Sequence, residues 1–398
     1  MRLIDRTITY PEGPEGAAYE LAGYLTADTL DMIRVRTIEV RSDIYDHCTI
    51  SFSVDNGQTW SESQPYPVRR ETPEGVHRKS FGNTFVDPVN GRLLVTASQT
   101  FLPTDQMLEA LTHSTLTYRV SEDGGKSWLF DEQVVQHGDA YSAEYPIDGV
   151  WTGKNVAHVA NEMVFSSDGR LVLPLQRTCL QDDDTLFCPP GALSYHDLIM
   201  LIGSWQDDGR IRWTAGQPVT LPPEISTRGV TEGAVTEMPD GRFLMVMRTS
   251  NAGNLELPGH KWYCVSHDGG ETWDTPRPWG YTDGSLFFSP ASYSTIARHS
   301  SGGYYWFGNI SPHNPEGNLP RHPLVAGLID PDSLLLRRDT VMVVDTRRGD
   351  EVPPLLGNFQ VYEERGTGHL IVRSTRLWVE HQGERAYRGH AYLYRIEP

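Results

Sequence analysis

An eight-residue motif, Ser266-His-Asp-Gly-Gly-Glu-Thr-Trp273 (SHDGGETW), recurs along the chain and decides the fold. Two copies match it closely and one is looser: Ser53–Trp60 (SVDNGQTW), Ser121–Trp128 (SEDGGKSW) and Ser204–Trp213 (SWQDDGRIRW). The Ser, the Asp, a Gly, a hydroxyl residue and the Trp recur, whereas His267 is replaced by Val or Glu in the close copies. Because an Asp accepts backbone N–H groups within a turn and a Trp packs on a sheet, the motif predicts a turn with an aromatic plug.

A second repeat, of the hairpin type, alternates with this motif. Each copy contains a strand, a turn with Gly and a second strand, at residues 82–99, 160–177 and 231–248, with looser versions at 289–309 and 357–376. A spacing of about 60 to 85 residues between motifs indicates one unit repeated around an axis. With a divergent first unit from about residue 17, we expect six four-stranded units in a single domain spanning 1–398. The segment RLIDRTITY near the start is predicted to pair with RAYRGHAYLYRIE near the end and close the ring.

The composition agrees with an all-β chain and limits its partners. The 398 residues include 37 Gly, 27 Pro and 10 Trp, which favour short strands and tight turns over long helices. A net charge of −18 argues against nucleic acid as a partner, and no apolar stretch reaches the roughly 20 residues of a membrane span. We expect a cytoplasmic protein for the chain as given, or a secreted or periplasmic one if a signal peptide was removed. The oligomeric state is left open.

Charged residues flank the hairpin turns at matching distances. Glu232 and Arg248 lie on either side of one turn, and Glu162 and Arg177 repeat the arrangement in the preceding hairpin. Residues equally distant from a hairpin turn return to the same end of the hairpin. Both pairs, with Arg373 of the last hairpin, are therefore predicted to face one cavity at the axis. Salt bridges at a rim explain such pairs as well, but they do not require convergence on a common cavity.

The repeated octet resembles the Asp-box, or BNR repeat, of the sialidase superfamily, whose members are six-bladed β-propellers. The resemblance implies an all-β, six-bladed propeller of the sialidase type for this chain. It also implies that Glu232 opens an inner strand and tunes or deprotonates a neighbouring group. Arg248 and Arg321 would hold a substrate carboxylate, for which the planar guanidinium is a suitable bidentate donor.

Two parts of the sialidase pattern are missing from the sequence. No [FY]-R-I-P tetrapeptide occurs, and the segment 33–41 offers three other arginines, Arg34, Arg36 and Arg41. Of these, Arg36 is the predicted substrate-binding residue. The tyrosine nucleophile of sialidases would open the last hairpin, where this chain has Phe359. Tyr293, one blade earlier, is predicted in its place, with the nearby Tyr362 as the alternative.

These residues together predict a sialidase-like glycoside hydrolase that is exo-acting on a glycan containing sialic or uronic acid. Glycosidases without a tyrosine nucleophile use two carboxylates, one as proton donor and one as base or nucleophile, and Glu162 and Glu232 are the predicted pair. A polysaccharide lyase or a rhamnosidase acting next to a uronic acid is the enzyme alternative, with His158 as a candidate base. A glycan-binding propeller that cleaves nothing is the alternative from another class.

No cofactor is expected, because the sequence contains no nucleotide-binding or HExxH motif. The four cysteines lack the CxxC spacing of a zinc site. The acidic run Gln181–Asp184 could supply oxygen ligands to a structural calcium, although a solvated loop explains it equally well. The prediction for the active site is that it uses no metal.

Overall fold

Six antiparallel sheets surround a central axis in the computed structural model, which describes residues 1–13, 16–41, 43–380 and 386–398. The arrangement confirms the predicted all-β, six-bladed propeller. Within those ranges the helical elements are two short 3-10 turns, Met107–Leu111 and Arg338–Thr340. In the same ranges, no helix has the length and apolar character needed to cross a membrane.

Each blade contains four strands that run outward from the axis. The first three blades consist of Ala17–Tyr24, Met32–Arg41, Ile44–Ser53 and Gln64–Pro65; of Asn83–Val86, Leu93–Leu102, Ser114–Ser121 and Phe130–Gln133; and of Ala157–Val159 with Val164–Phe165, Leu171–Thr178, His196–Trp205 and Ile211–Ala215. The last three consist of Thr231–Glu237, Phe243–Arg248, Lys261–Ser266 and Arg277–Pro278; of Thr295–Arg298, Tyr304–Asn309, Leu324–Leu328 and Met342–Asp345; and of Phe359–Glu363, Leu370–Glu380, Ala386–Glu397 and Arg2–Tyr10. An additional hairpin, Arg69–Thr72 with Gly75–Lys79, extends the second blade.

The strand Arg2–Tyr10 forms the outer edge of the sixth blade, as predicted. It pairs antiparallel with Ala386–Glu397, so that Arg2 lies opposite Glu397 and Tyr10 lies opposite Ala391. Two distant parts of the chain therefore close the ring through backbone hydrogen bonds. This pairing covers a strand edge that would otherwise be open to other chains.

The hairpin repeats supply the two innermost strands of blades two to six. The segments 82–99 and 231–248 form hairpins as predicted. In 160–177 the inner strand is interrupted between Val159 and Val164, and in 289–309 it begins only at Thr295. Several side chains that were expected on regular strands thus lie in irregular segments, whose backbone can turn them toward the axis.

The three close copies of the octet, Ser53–Trp60, Ser121–Trp128 and Ser266–Trp273, form nearly identical turns between the third and fourth strands of their blades. In the last of them, the Ser266 hydroxyl donates to Asp268 Oδ1 at 2.7 Å and accepts from the N–H of Gly270 at 2.8 Å. Asp268 Oδ1 also accepts from the N–H of Thr272 at 2.9 Å. The prediction of a structural turn is therefore confirmed. We call the end of the propeller that carries these turns the Asp-box end.

The looser copy at Ser204–Trp213 folds differently. It is a tight hairpin in which Asp208 Oδ1 accepts from the N–H of Arg210 at 3.0 Å. Trp213 belongs to the outer strand of the third blade and is 1% exposed. The aromatic plug is thus retained, while the hydroxyl and aspartate network of the other three copies is not.

Large aromatic side chains fill the spaces between blades. Trp279 and Trp306, from the fourth and fifth blades, are fully buried, and their ring centroids are 5.2 Å apart. The indole N–H of Trp279 donates to the carbonyl of Leu334 at 2.9 Å, so its polar group is satisfied. Burial of such a side chain contributes about 2–3 kcal/mol to stability. This packing holds the blades at the angles that position their inner strands around the axis.

Candidate active site

A cavity of about 280 Å³ opens at the end of the propeller where the inner strands begin, opposite the Asp-box end. All six blades contribute side chains to it. The lining residues used below are Tyr19 and Glu20, Asn83, Asn161 and Glu162, Glu232, Tyr293, and Asn358, Phe359 and Arg373. The structure therefore brings together Glu162, Glu232, Tyr293 and Arg373, which the sequence had indicated as site residues. We call this end of the propeller the cavity end.

Glu232 lies at a β-bulge at the start of the fourth blade. The register shifts between Thr231 and Ala234, and Glu232 has a φ of 46°, which is unusual for a residue with a side chain. Its N–H donates to the side-chain oxygen of Gln176 at 3.2 Å, so a neighbouring blade supports this conformation. Backbone strain of this kind is often retained where it aims a functional side chain.

The carboxylate of Glu232 is only partly neutralised by its contacts. Arg248 Nη1 donates to Oε1 at 2.7 Å, whereas Oε2 is buried and has no hydrogen-bond partner among the described residues. Burial acts to raise the pKa of Glu232, but the charge and hydrogen bond of Arg248, with weaker effects of Arg321 and Lys261, hold it below its ordinary value. Glu232 is therefore ionised at neutral pH and keeps one oxygen available.

Positive charge around Glu232 exceeds what one carboxylate can balance. Arg248 Nη2 donates to Asn318 Oδ1 at 3.1 Å, and Arg321 donates through Nε to the Asn318 carbonyl at 3.3 Å. Burial and the charge of Arg248 lower the pKa of Arg321 to about 10. The same two causes lower the pKa of the fully buried Lys261 to about 7. Two guanidinium groups thus face one carboxylate, which favours binding of an additional anion.

Glu162 lies in the interruption of the third blade's inner strand. Burial raises the pKa of its carboxyl group to about 7, and no charged neighbour offsets that effect among the described residues. The cavity therefore contains two carboxyl groups with pKa values displaced in opposite directions. Such a pair is the usual arrangement of an acid and a base in one active site.

Tyr293 reaches the cavity from the irregular segment before the fifth blade's inner strand. Its hydroxyl donates to Asn161 Oδ1 at 3.1 Å, and its ring lies against Phe359 with centroids 5.2 Å apart. Burial and then the charge of Glu162 raise the pKa of Tyr293 above its usual range. Tyr293 thus lies beside the position where the resemblance to sialidases had implied a tyrosine, although it comes from the preceding blade.

Asn161 is a site residue that the sequence analysis missed. Its side chain is 6% exposed, and its amide donates to the Ser294 carbonyl at 2.7 Å while its oxygen accepts from Tyr293 and from Thr295. It therefore connects the third and fifth blades at the axis and orients the tyrosine. The available signal was its place directly before Glu162, at the start of a predicted hairpin.

The wall formed by the first and sixth blades carries a second group of charges. Arg373 Nη1 donates to Glu20 Oε2 at 3.2 Å, and Arg36 donates to Glu20 Oε1 through Nε at 2.8 Å and Nη2 at 2.6 Å. Arg34 lies 3.9 Å from the same carboxylate. Of the predicted substrate-binding arginines, Arg373 lines the cavity, whereas Arg36 is held behind Glu20. The sequence analysis did not identify Glu20, because its partners come from distant strands.

Two predicted residues, Arg177 and His158, lie at the cavity end but outside the cavity lining. Arg177 donates through Nε to Asp197 at 3.0 Å and through Nη1 to the Asp148 carbonyl at 2.7 Å, so it anchors the loop before the third blade. Burial lowers the pKa of His158 to about 4, which keeps its ring neutral at physiological pH. Asp43, in a loop of the first blade with a φ of 58°, affects the pKa of His158 through its charge.

The acidic loop at Gln181–Asp184 makes contacts within the protein. Asp183 Oδ1 accepts from the N–H and the hydroxyl of Thr185 at 3.1 and 2.6 Å, and Asp184 pairs with Lys154 at 2.7 Å. In the ranges that the structure describes, no group of three His, Cys, Asp or Glu residues is arranged to hold a metal ion. The calcium site stays a prediction.

Comparison with known proteins gives a family and a fold. A family model described as a BNR repeat-like domain matches residues 48–338. A Dyadobacter fermentans protein of unknown function superposes with a TM-score of 0.64 at 17% identity, over 100% of this chain and 99% of that one. A Trypanosoma rangeli sialidase gives 0.58 at 14% identity over 96% and 55% of the two chains, and the NanB sialidase of Streptococcus pneumoniae gives 0.58 at 12% over 95% and 68%. The chain thus spans between about half and two thirds of these sialidases. No curated protein sequence matches it.

Proposed function

The chain belongs to the BNR repeat-like family, and on that basis we propose that it is a sialidase-like glycoside hydrolase that releases an acidic sugar from a glycan. The single observation that carries the proposal is the pair of carboxyl groups in one cavity. The pKa of Glu162 is raised to about 7, and that of Glu232 is lowered beside Arg248. One group is therefore available as an acid while the other is available as a base or nucleophile.

The acidic character of the substrate follows from the cations beside Glu232. Arg248 and Arg321 are both anchored on Asn318, which fixes their guanidinium groups relative to one another. A planar carboxylate matches such donors and would supply the missing negative charge. This support is notable in a chain with a net charge of −18, which otherwise repels anions. Sialic and uronic acids both carry the required carboxylate.

Two proton transfers describe the proposed reaction. Glu162, protonated, donates its proton to the glycosidic oxygen as the bond to the anomeric carbon breaks. Glu232 Oε2, which has no protein partner, either attacks the anomeric carbon or removes a proton from the attacking water. In the first case water later hydrolyses the glycosyl–enzyme bond and returns a proton to Glu162. In both cases the enzyme ends in its starting protonation state.

Tyr293 is a second candidate for the nucleophile. Its hydroxyl is oriented by Asn161, and its ring contacts Phe359 at the position that the sialidase resemblance indicated. In this variant the tyrosine oxygen attacks the anomeric carbon and its proton passes to Glu162 or Glu232. The two variants differ in their response to substitution, since Tyr293→Phe abolishes turnover only if the hydroxyl is the nucleophile.

The proposal is tested by incubating the protein with aryl sialosides, aryl uronides and uronate polysaccharides. Release of the aryl group and of reducing ends is followed together with the ultraviolet absorbance of an unsaturated product. Hydrolysis without new absorbance is expected. Formation of an unsaturated sugar would instead identify a lyase, and binding without any release would identify a glycan-binding propeller.

Matched glutamate variants connect the activity to the cavity. Glu162→Gln and Glu232→Gln should each lose turnover, whereas Glu271→Gln, the same substitution in an exposed Asp-box turn, should retain it. Full activity in both cavity variants would show that the assignment of the acid and the base is wrong, whatever the substrate.

A further inference from the structure

Three arginines surround one glutamate at the boundary between the first and sixth blades, across the cavity from Glu232. We call Glu20, Arg34, Arg36 and Arg373 the Glu20 cluster. The side chains of Glu20 and Arg373 are each 2% exposed, and both residues line the cavity. The group is therefore a buried part of the cavity wall and not a surface ion pair.

The charges of the Glu20 cluster do not balance. Three guanidinium groups face one carboxylate, so that the cluster carries two uncompensated positive charges. Burial acts to raise the pKa of Glu20, but the charge of Arg373, the hydroxyl of Thr9 and the other arginines hold it below its ordinary value. Burial, opposed by Glu20 and reinforced by Arg36 and Arg373, lowers the pKa of Arg34. Buried unpaired charge is costly, and a bound anion would reduce that cost.

The hydrogen bonds show which arginine has capacity to spare. Arg36 holds Glu20 Oε1 with two donors and lies over the ring of Tyr10 at 4.3 Å. Arg34 donates to the Ser51 hydroxyl at 3.1 Å and lies over Trp60 at 4.6 Å. Both guanidinium groups therefore have an acceptor on one side and an aromatic ring on the other.

Arg373 is held less completely. It shares Glu20 Oε2 with the Thr9 hydroxyl, at 3.2 Å compared with 2.6 Å for the threonine. Its Nε is buried and has no hydrogen-bond partner among the described residues. A purely structural ion pair would leave no reason for a nearly inaccessible guanidinium to lack a partner on a cavity wall. The neutral amides of Asn83 and Asn358 line the same cavity and can donate to hydroxyl groups.

We propose that Arg373 forms a second anion subsite, which binds an acidic group of the glycan other than the one held by Arg248 and Arg321. The proposal rests on the proposed function and narrows its substrate to a glycan with two acidic groups on neighbouring sugar residues. The second group is a carboxylate or a sulfate ester, since a guanidinium binds both in the same way. Arg36 and Arg34 keep Glu20 occupied, which leaves the remaining donors of Arg373 for the ligand.

The test compares ligands that differ by one negative charge. Digalacturonate and the α-linked dimer of sialic acid are each titrated calorimetrically against the same disaccharide with its second carboxylate as a methyl ester, and a sulfated uronate disaccharide replaces the carboxylate by sulfate. In the wild-type protein at least one diacid should bind about tenfold or more tightly than its ester. In Arg373→Gln the two affinities should agree within about threefold. Preference for the sulfated disaccharide over the diacid would identify sulfate as the natural group.

Controls separate this proposal from the proposed function. Arg119→Gln removes an arginine that lies over Trp128 at 4.0 Å near the Asp-box end, and it should keep the preference for the diacid. Arg248→Ala should weaken diacid and ester alike. If Arg373→Gln does not fold, Arg373→Lys keeps a cation opposite Glu20 and should still lower the preference at least threefold or so.

Three results would overturn the second subsite: equal binding of every diacid and its ester, a preference that persists in Arg373→Gln, or no binding of any of these ligands. Loss of turnover in the cavity glutamate variants tests the hydrolase independently. A hydrolase without a diacid preference would retain the proposed function and exclude the subsite. A diacid preference without hydrolysis would support the subsite in a binding protein.

Discussion

The two ends of this propeller use the same acidic side chains in opposite ways. At the Asp-box end, hydrogen bonds from the side chain and N–H of Thr59, and from those of Ser127, lower the pKa values of Asp55 and Asp123 to about 2. At the cavity end, the pKa of Glu162 is raised to about 7 and one oxygen of Glu232 has no described partner. An acid that builds a turn uses its bonding capacity locally, whereas an acid at the cavity retains it for a ligand. The comparison distinguishes structural from candidate catalytic acids without reference to sequence motifs.

The largest effect is expected for Glu162→Gln. If Glu162 is the proton donor, kcat/KM should fall by about 10²–10⁴, because an amide cannot protonate the leaving oxygen. The wild-type rate should also decrease as the pH rises through about 7, where Glu162 loses its proton. Steady-state rates across pH on an active substrate test both points. An unchanged alkaline limb in the variant would show that another group is the acid.

The same substitution should stabilise the fold above neutral pH. A carboxyl group whose pKa is raised in the native state favours folding below about pH 4.5, and this contribution is lost as the pH rises through about 7. Glu162→Gln does not titrate, so it should be more stable than wild type by about 2–3 kcal/mol at pH 8 and equal to it at pH 4. Urea unfolding at the two pH values measures this. A variant that is less stable at both would indicate a structural role for Glu162.

Arg248→Ala should weaken binding of the acidic substrate by about 2 kcal/mol, or roughly 30-fold in KM, because a charge-assisted hydrogen bond is lost. Removing Arg248 also removes the main cation that lowers the pKa of Glu232, so the acid limb of the rate profile should move to higher pH. Kinetics on a substrate and on its methyl ester separate these effects. The assignment would be contradicted if the ester lost as much affinity as the acid.

Asp268→Ala addresses the opposite end of the propeller. Its carboxylate accepts from Ser266 and from the N–H of Thr272, so its removal should lower the free energy of unfolding by about 1–2 kcal/mol. Activity per folded molecule should not change, because the turn lies opposite the cavity. Thermal unfolding and turnover measured on the same preparation provide the check, with Asp268→Asn as the milder variant. Lost turnover in a fully folded sample would contradict the separation of the two ends.

The smallest effect is expected for His267→Ala. His267 is exposed and occupies the variable position of its octet, between the serine and aspartate that build the turn. Stability should change by less than about 0.5 kcal/mol, as for an ordinary surface substitution, and activity should be unaffected. A clear loss of activity would mean that this turn has a function beyond structure.

Local patterns predicted the features whose causes are local. The octets, the hairpins 82–99 and 231–248, and the pairing of Arg2–Tyr10 with Ala386–Glu397 all follow from strands and turns that are close in sequence or complete a repeat. The placement of Glu232 and Arg248 at one end of a hairpin also needed only the register, and their side chains lie 2.7 Å apart. The order of blades then brought these local units to one axis.

Contacts between blades could not be read from those patterns. Arg177 occupies the same hairpin position as Arg248, yet Asp197 of the adjacent strand and the Asp148 carbonyl hold it outside the cavity. Tyr293 meets Phe359 because an irregular segment precedes its strand. In each case a side chain is redirected by a neighbour that is distant in sequence, which periodicity does not record.

The strand that closes the ring has a consequence for biosynthesis. Residues 2–10 leave the ribosome first, but their partner at 386–397 is made last, so the sixth blade cannot be completed until translation is nearly finished. Thr9 of the early strand then donates to Glu20 at 2.6 Å, and Arg373 of the late blade pairs with the same carboxylate. The wall of the cavity is therefore assembled in the final step of ring closure. Nascent chains that stop short of this step can contain five folded blades without a finished site.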